Sequence, residues 1–508
     1  MPNRPPVPRR RRPAASARPR WAYQPHQAAH PARPGAALAA ALLGFFVITL
    51  DALVVNVALP SIRTDLGGGI TGLQWVLDGY TLMFAALLLS AGSLSDRVGA
   101  RRAFGLGLAV FVAASAACGL APGLPVLVAA RLVQGAGAAA MMPTSLALIR
   151  EAYTDPIRRA RAVALWAVGG AVASAAGPVA GGAATLISWR VIFFINLPAG
   201  AVALLLLSRT ARSPRRPAPF DLAGQVSAVT ALGALTFAAI EAGERGFAAP
   251  PVWAAGILTV AAAAVFVRAE ARGAHPMVPL GLLRRRTVVI SCSAGFAFMA
   301  GFYGTVFLFS LYLQQQRGLS ALATGVAFVP MTVLSAFVNP VSARAAERLG
   351  PRVPIAFGLF LMAAGLVTLA VVPAGTPTWA LALLMLPVGL GGPLAMPTTT
   401  ALLVNSVPPH LTGTASGVFN TSRQLGGALA VAVFGALIGG RAHMLTGLHV
   451  SLVISAVVVC AAATAACFLR PADHPTGPAP LPTPGAGEAG GSQPYPETVP
   501  ATMKETGS

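Results

Sequence analysis

Apolar runs of about 20 residues, separated by short polar breaks, fill the chain from about residue 36 to residue 470. They lack the two-residue alternation of lipid-facing strands. Their length matches the ~20 residues a helix needs to cross a hydrocarbon core about 30 Å thick. Fourteen windows stand out, beginning near Ala36, Leu73, Ala103, Leu124, Ala160, Trp189, Asp221, Pro251, Thr287, Ala321, Val353, Trp379, Ala415 and Leu448. Only the turn "LISWR" divides the fifth from the sixth. The pattern predicts an all-α polytopic membrane protein of 14 transmembrane helices.

Composition strengthens this. Of 508 residues 55% are hydrophobic and 10% charged, whereas a water-exposed domain carries roughly 25% charged residues. The net charge of +21 is nearly all arginine, and its placement follows the topology. With the N-terminus inside, 29 of the 36 basic residues fall on the cytoplasmic side and five outside, at Arg63, Arg190, Arg245, Arg317 and Arg441. That is the positive-inside bias, so the charge needs no nucleic acid to explain it. The Pro/Arg-rich stretch 1–35 and the Pro/Gly-rich stretch 471–508 read as disordered cytoplasmic tails, the first uncleaved because the apolar run after it is a full span carrying an acid. Cys118, Cys292, Cys460 and Cys467 lie in apolar runs without metal or redox spacing, so no metal site is expected.

A short loop occurs twice. "GSLSDRVGARR" (Gly92 to Arg102) follows the second window and "ERLGPR" (Glu347 to Arg352) the tenth, with acid, Arg, Gly and Arg at the same offsets. The match predicts two parallel six-helix bundles, residues 36–208 and 287–470, related by a pseudo-twofold axis, with two inserted helices in the 209–286 linker. Transporters built from such repeats carry their site between the halves.

Several motifs, in order, resemble those of the major facilitator superfamily, specifically its fourteen-spanning drug:proton antiporter branch. "GSLSDRVGARR" resembles the family's loop between the second and third helices, with Ala100 where a basic residue is common. "LDALVVNVALP" (Leu50 to Pro60), "RLVQGAGAAAMMP" (from Arg131), "GPVAGG" (Gly177 to Gly182), "WRVIFFINLPAG" (from Trp189) and "NTSRQLGGALA" (from Asn420) resemble its first, fourth, fifth, sixth and thirteenth helices. The resemblance covers about residues 36–470. It implies coupling roles for Asp51 and Arg131, an antiporter motif at Gly177, Pro178, Gly181 and Gly182, and a cytoplasmic gate in the two loops. The gate residues are Gly92, Asp96, Arg97, Gly99, Arg101 and Arg102, mirrored by Glu347, Arg348, Gly350 and Arg352.

The buried charges can also be read without the family. An ionised side chain at mid-span costs about 2.5–3.5 kcal/mol or more. Counting residues from the outer ends at 1.5 Å each puts Asp51, Asp78 and Arg131 at one depth, roughly 8–11 Å below the outer face. A neighbouring arginine favours an ionised carboxylate and apolar burial opposes it, so a rearrangement could load and release a proton there; a structural ion pair is the other reading. Asp96 facing the N-terminus of the thirteenth helix would make a latch, with Glu347 serving likewise at the fifth helix. Glu241 and Glu244, at the outer end of the seventh window, read as solvated. Arg423 falls near mid-membrane with no acid in its own repeat, facing either a polar or anionic substrate group or backbone carbonyls. Trp75, Tyr80, Gln134, Phe302, Tyr303, Asn420, Arg423 and Gln424 are candidate pocket residues.

The leading functional expectation is a proton-coupled antiporter exporting small amphipathic molecules across the cytoplasmic membrane, acting as a monomer, with both termini cytoplasmic and no cofactor. A facilitator or importer of a polar metabolite is the alternative. A membrane-embedded lipid or glycosyl transferase is remote, because the seven histidines are scattered and the loops short. No Walker-type "GxxxxGK" loop appears.

Overall fold

The computed structural model describes residues 34–215, 221–273, 276–408, 411–438 and 444–469, and the side chains of all of these except residues 335, 336, 339 and 340. The predicted tails, apart from Pro34 and Gly35, and Arg441 lie outside them. The described residues are helical and connected by short turns. The first group is α1 (Pro34–Leu66), α2 (Gly69–Val98), α3 (Ala100–Gly119), α4 (Leu124–Ala152), α5 (Pro156–Thr185), α6 (Val191–Phe194) and α7 (Asn196–Ser208). Then come α8 (Leu222–Arg245), α9 (Pro250–Arg272) and the short α10 (Leu280–Leu283). The last group is α11 (Arg286–Leu311), α12 (Ala321–Ala327), α13 (Val329–Leu349), α14 (Arg352–Ala370), α15 (Thr378–Leu384), α16 (Leu386–Asn405), α17 (Thr412–Leu437) and α18 (Met444–Cys467).

Among the described residues 12 helices are long and apolar enough to cross a membrane. The two remaining windows are also helical. The tenth is interrupted at Phe328, leaving the shorter apolar stretch Ala321–Leu334, and the thirteenth is α17, whose Asn420, Ser422, Arg423 and Gln424 lower its apolarity. The division at "LISWR" is present, since α5 ends at Thr185 and α6 starts at Val191. Three interruptions share one cause. The breaks at Ile195, Phe328 and Met385 each stand two or three residues before a proline, at Pro198, Pro330 and Pro387. Proline has no N–H to donate and crowds the carbonyl four residues back.

Within the first group α1 packs on α5 and α7, and α4 on α2 and α3; within the last, α11 packs on α17, and α14 on α16 and α18. The groups meet through α2 against α17, α5 against α12 and α13, and α1 against α11. α8 and α9 pack on each other, with α8 resting on α2 and α17. This contact corrects one expectation. Glu241 is buried rather than solvated, because α8 approaches α17 so closely that a Cβ on Gly243 would fall 2.3 Å from that of Ala436. Its carboxylate pairs ionically with Arg245, one turn on, with Nε and Oε2 2.6 Å apart.

Small polar clusters fasten the two ends of the bundle. At one end the Asp65 carboxylate accepts from Trp189 Nε1 at 2.9 Å and from Arg190 Nη1 at 2.5 Å. Arg190 also donates to Ala121 O, tying α1 to two turns. At the other end the repeated loops share a backbone form. Gly99 and Gly350 have φ of 87° and 81°, a region that side chains with a Cβ rarely enter. Arg101 donates to Ser208 O at 3.1 Å, and Arg352 to Cys467 O at 2.7 Å. Each loop thus uses its second arginine to cap the carbonyl end of a later helix, where the dipole favours a cation.

Candidate functional site

The site begins with charges that the first group cannot leave unpaired. Asp51 on α1 and Arg131 on α4 are 0% and 1% exposed and form an ion pair, Arg131 Nη1 donating to Asp51 Oδ2. Asp51 Oδ1 accepts from Gln134 Nε2 and from Asn196 Nδ2, both at 2.9 Å. Arg131 also donates from Nε to Val76 O at 2.9 Å and from Nη1 to Gln134 Oε1 at 2.8 Å. Its guanidinium lies 4.4 Å from the ring centre of Tyr80, whose hydroxyl donates to Ile48 O. Ser115 completes the network by accepting from Gln134 and Asn196 while donating to Phe193 O. Both carboxylate oxygens are therefore satisfied, the condition under which a buried pair is tolerated.

Asn196 and Ser115 were not singled out from the sequence. Asn196 opens α7 directly after the proline-induced break at Ile195, which turns its amide inward. An asparagine two residues after the "WRVIFF" aromatic pair, followed by "LP", is the one signal that could have marked it. Gln134 belongs to this network and not to a pocket wall, a correction to the sequence reading.

Asp78 on α2 is fully buried and shares a small cavity with Arg131, yet does not join the pair. Among the described residues its carboxylate's only hydrogen bond is from Thr81 Oγ1 to Oδ1 at 3.5 Å, and Oδ2 has no partner. It lines a cavity of about 10 Å³, room for one water molecule. Ala52, Leu77, Tyr80, Thr81 and Arg131 form one wall; Tyr303 of α11 with Gly427 and Val431 of α17 form the other. The cavity lies between the two helix groups, with an acid and an ion-paired arginine on one side only.

The other predicted pocket residues divide. Tyr303 faces the cavity, and Phe302 packs against Phe298 and Tyr303. Trp75 instead faces Phe237 of α8, at 6.2 Å between ring centres, because α8 covers that side of α2. Asn420 accepts from Arg423 Nη1 at 3.4 Å, one turn along α17 from Gly427. Gln424 is half-buried beside them.

The groups are joined most closely at the Asp65 end. Gln74 Nε2 of α2 donates to Val431 O and Ala432 O of α17, at 3.0 and 2.5 Å. Ser310 Oγ donates to Asn56 O at 2.7 Å, and Gln314 Nε2 to Val57 O at 3.0 Å. The predicted antiporter glycines lie here too. Gly177 and Gly181 let α5 approach Leu53 and Val54 of α1. Pro178 and Gly182 face α12 across the groups: a Cβ on Gly325 would fall 2.2 Å from Pro178 O, and one on Gly182 2.6 Å from Leu322 Cα. At the opposite end Asp96, Arg97, Arg102, Glu347, Arg348 and Arg352 are exposed. Among the described residues neither Asp96 nor Glu347 enters an ion pair, and the expected Asp96 contact with the start of α17 is absent in this conformation. Gly92 faces open space, so nothing in its surroundings requires a glycine.

Comparison with known proteins places this architecture. The model of the Major Facilitator Superfamily matches residues 41–431. The chain is 36% identical over 406 residues to the methylenomycin A resistance protein of Streptomyces coelicolor, covering 80% of this chain and 86% of that one. It is 36% identical over 405 residues to multidrug resistance protein Stp of Mycobacterium tuberculosis, covering 78% and 74%. It is 33% identical over 425 residues to the tetracenomycin C resistance and export protein of Streptomyces glaucescens, covering 80% and 77%. Among solved structures, an inward-facing bacterial homolog of the human lysosomal transporter Spinster aligns with a TM-score of 0.59 at 19% identity, over 85% of this chain and 96% of that one. A D-xylose-proton symporter aligns with a TM-score of 0.59 at 15% identity, over 84% and 97%. The chain is a multi-pass membrane transporter and not an enzyme, and it belongs to the Major Facilitator Superfamily.

Proposed function

We propose that this chain is a proton-coupled antiporter that exports small amphipathic molecules across the cytoplasmic membrane, with both termini cytoplasmic. The observation that carries the reading is the fully buried Asp51–Arg131 pair beside a cavity between two helix groups. An ion pair used only to hold helices has no need to border that gap. Protonating Asp51 releases Arg131 and weakens the network through Gln134 and Asn196, which couples a proton to the packing of α1, α4 and α7. Asp78, buried beside the cavity with one carboxylate oxygen unpartnered, is the second protonatable group. The resistance and export functions named for the similar proteins support a drug-like cargo.

In this reading all fourteen windows cross the membrane. Residues 36–208 and 287–470 form the two bundles, and α8 and α9 are the inserted pair. The Asp65 end is outside, so the hydrogen bonds and glycine contacts there close the outer mouth. Asp96 and Glu347 form their latches in the opposite, outward-open conformation, consistent with their exposure here. One proton crossing 100 mV supplies about 2.3 kcal/mol, enough for roughly a 50-fold gradient of a neutral solute. The protein works as a monomer and needs no cofactor.

A toxicity panel in a pump-deficient bacterial host tests the cargo class. Expression of the chain is expected to raise the inhibitory concentration of at least one amphipathic antibiotic, and a protonophore to remove that protection. Equal sensitivity to every compound with and without the chain would contradict export.

A further inference from the structure

We propose that Arg423 receives an anionic group of the exported molecule, a carboxylate or sulfonate on an apolar body; the proposal rests on the transport reading above and names its substrate class. The argument begins with counter-charge. Between residues 287 and 469 the only acid is Glu347, at the end of α13 and exposed to solvent. Arg423 lies in the middle of α17, so its own helix group holds no carboxylate to neutralise it. Across the interface Asp51 is already committed to Arg131.

The geometry leaves the guanidinium open to a ligand. Among the described residues its Nε is buried without a hydrogen-bond partner, and Nη1 reaches only Asn420 Oδ1, at 3.4 Å. Glycine at position 295 of α11 makes room for the stem, since a Cβ there would lie 2.8 Å from Arg423 Cγ. The stem is therefore held between α11 and α17. The guanidinium stands 5.8 Å from the ring centre of Phe419. Both Asn420 and Phe419 precede Arg423 by one turn, so the side chain runs toward the start of α17, the usual direction on a helix. That direction leads away from Asp78, which lies level with Gly427, about 6 Å further along the axis. The Arg423 side chain therefore points toward the start of α17, the cytoplasmic side in the proposed topology.

A guanidinium in this position needs acceptors, and its planar fork fits a carboxylate or sulfonate with two parallel hydrogen bonds. The adjacent Phe419 ring suits the apolar body of such a molecule. Arg131 differs in that its charge is already balanced by the buried Asp51 carboxylate, while its Nη1 and Nε donate to Asp51, Gln134 and Val76.

Binding to the purified full-length chain in phosphatidylcholine vesicles tests this with three probes of one shape: 1-naphthoate, neutral 1-naphthamide and cationic 1-naphthylmethylammonium. The wild type is expected to bind the naphthoate at least about tenfold more tightly than the amide, as a charge-assisted contact implies. Arg423→Gln should erase that ratio while leaving the amide's affinity unchanged, and Arg423→Lys should retain part of it. Equal affinities in the wild type, preference for the cation, or a ratio that survives in R423Q would overturn the proposal. So would a parallel loss of all three probes in R423Q and R423K, which marks a packing role. If phosphatidylglycerol in the vesicles displaces the naphthoate, the anion read by Arg423 is a lipid headgroup, and the cargo assignment falls. Failure of these binding arms with drug export intact removes this inference alone, whereas absence of all export removes the transport reading.

Discussion

Replacing Asp51 with asparagine is expected to abolish proton-driven export and to destabilise the folded chain. Asp51 is acceptor-only, and each of its partners, Arg131, Gln134 and Asn196, donates to it. An asparagine amide puts a donor among donors whichever way it is turned. It also leaves Arg131, 1% exposed, without a counter-ion. Removing one partner of a buried pair costs about 3–5 kcal/mol. Denaturant unfolding of the detergent-solubilised protein checks the stability loss, and export from drug-loaded cells checks coupling. Asp51→Glu, which keeps the charge, should recover more export than Asp51→Asn. Equal protection by wild type and Asp51→Asn would mean that the proton is carried elsewhere.

The second large effect is expected at the contact between α5 and α12. Gly325→Leu should trap the transporter open on the outer side and reduce export at least tenfold, with normal amounts of protein in the membrane. The atoms in the way are backbone: a Cβ at 325 meets Pro178 O at 2.2 Å and its carbonyl carbon at 2.8 Å. No side chain can move aside, so the helices must part. Overpacking costs about 1–3 kcal/mol, which shifts a two-state equilibrium roughly 5–150-fold. Asn56→Cys, placed in a background without the native cysteines, reports the conformation. Asn56 is 1% exposed here and should become reactive to an impermeant maleimide only when Gly325→Leu is also present. Export at the wild-type rate in Gly325→Leu would show that this contact does not gate the outer mouth.

Much of this was legible in the sequence because a membrane makes charge and length expensive. An unbroken apolar run of about 20 residues has few alternatives to a spanning helix. Each ionised residue within one had to be explained, so Asp51, Asp78, Arg131 and Arg423 identified themselves. The depth count brought Asp51 and Arg131 together correctly. The same count put Asp78 at their level but said nothing of its azimuth, and the structure turns it toward the cavity instead of the pair. Neutral polar groups were harder to find. Asn196 and Ser115 cost too little as individual residues to stand out, although Asn196 and Gln134, both held by Ser115, complete the hydrogen bonding of the buried carboxylate. Faces covered by distant helices were also hidden. Trp75 and Glu241 are both covered by the packing of α8 against α2 and α17, a contact that no local pattern encodes. The two loops repeated in sequence proved to repeat in backbone form and in the Arg101 and Arg352 caps. Their acids, Asp96 and Glu347, are exposed to solvent.

Proton counter-transport in sealed vesicles tests the central claim most directly. The purified chain is reconstituted with a trapped pH-sensitive dye, and a compound that the resistance panel identifies is supplied on one side. Its downhill movement should drive protons the opposite way in the wild type and none in Asp51→Asn. Uphill movement should stop once the pH difference and voltage are both collapsed. Accumulation against a gradient that persists after that collapse would contradict a transporter powered by protonation of its buried aspartates.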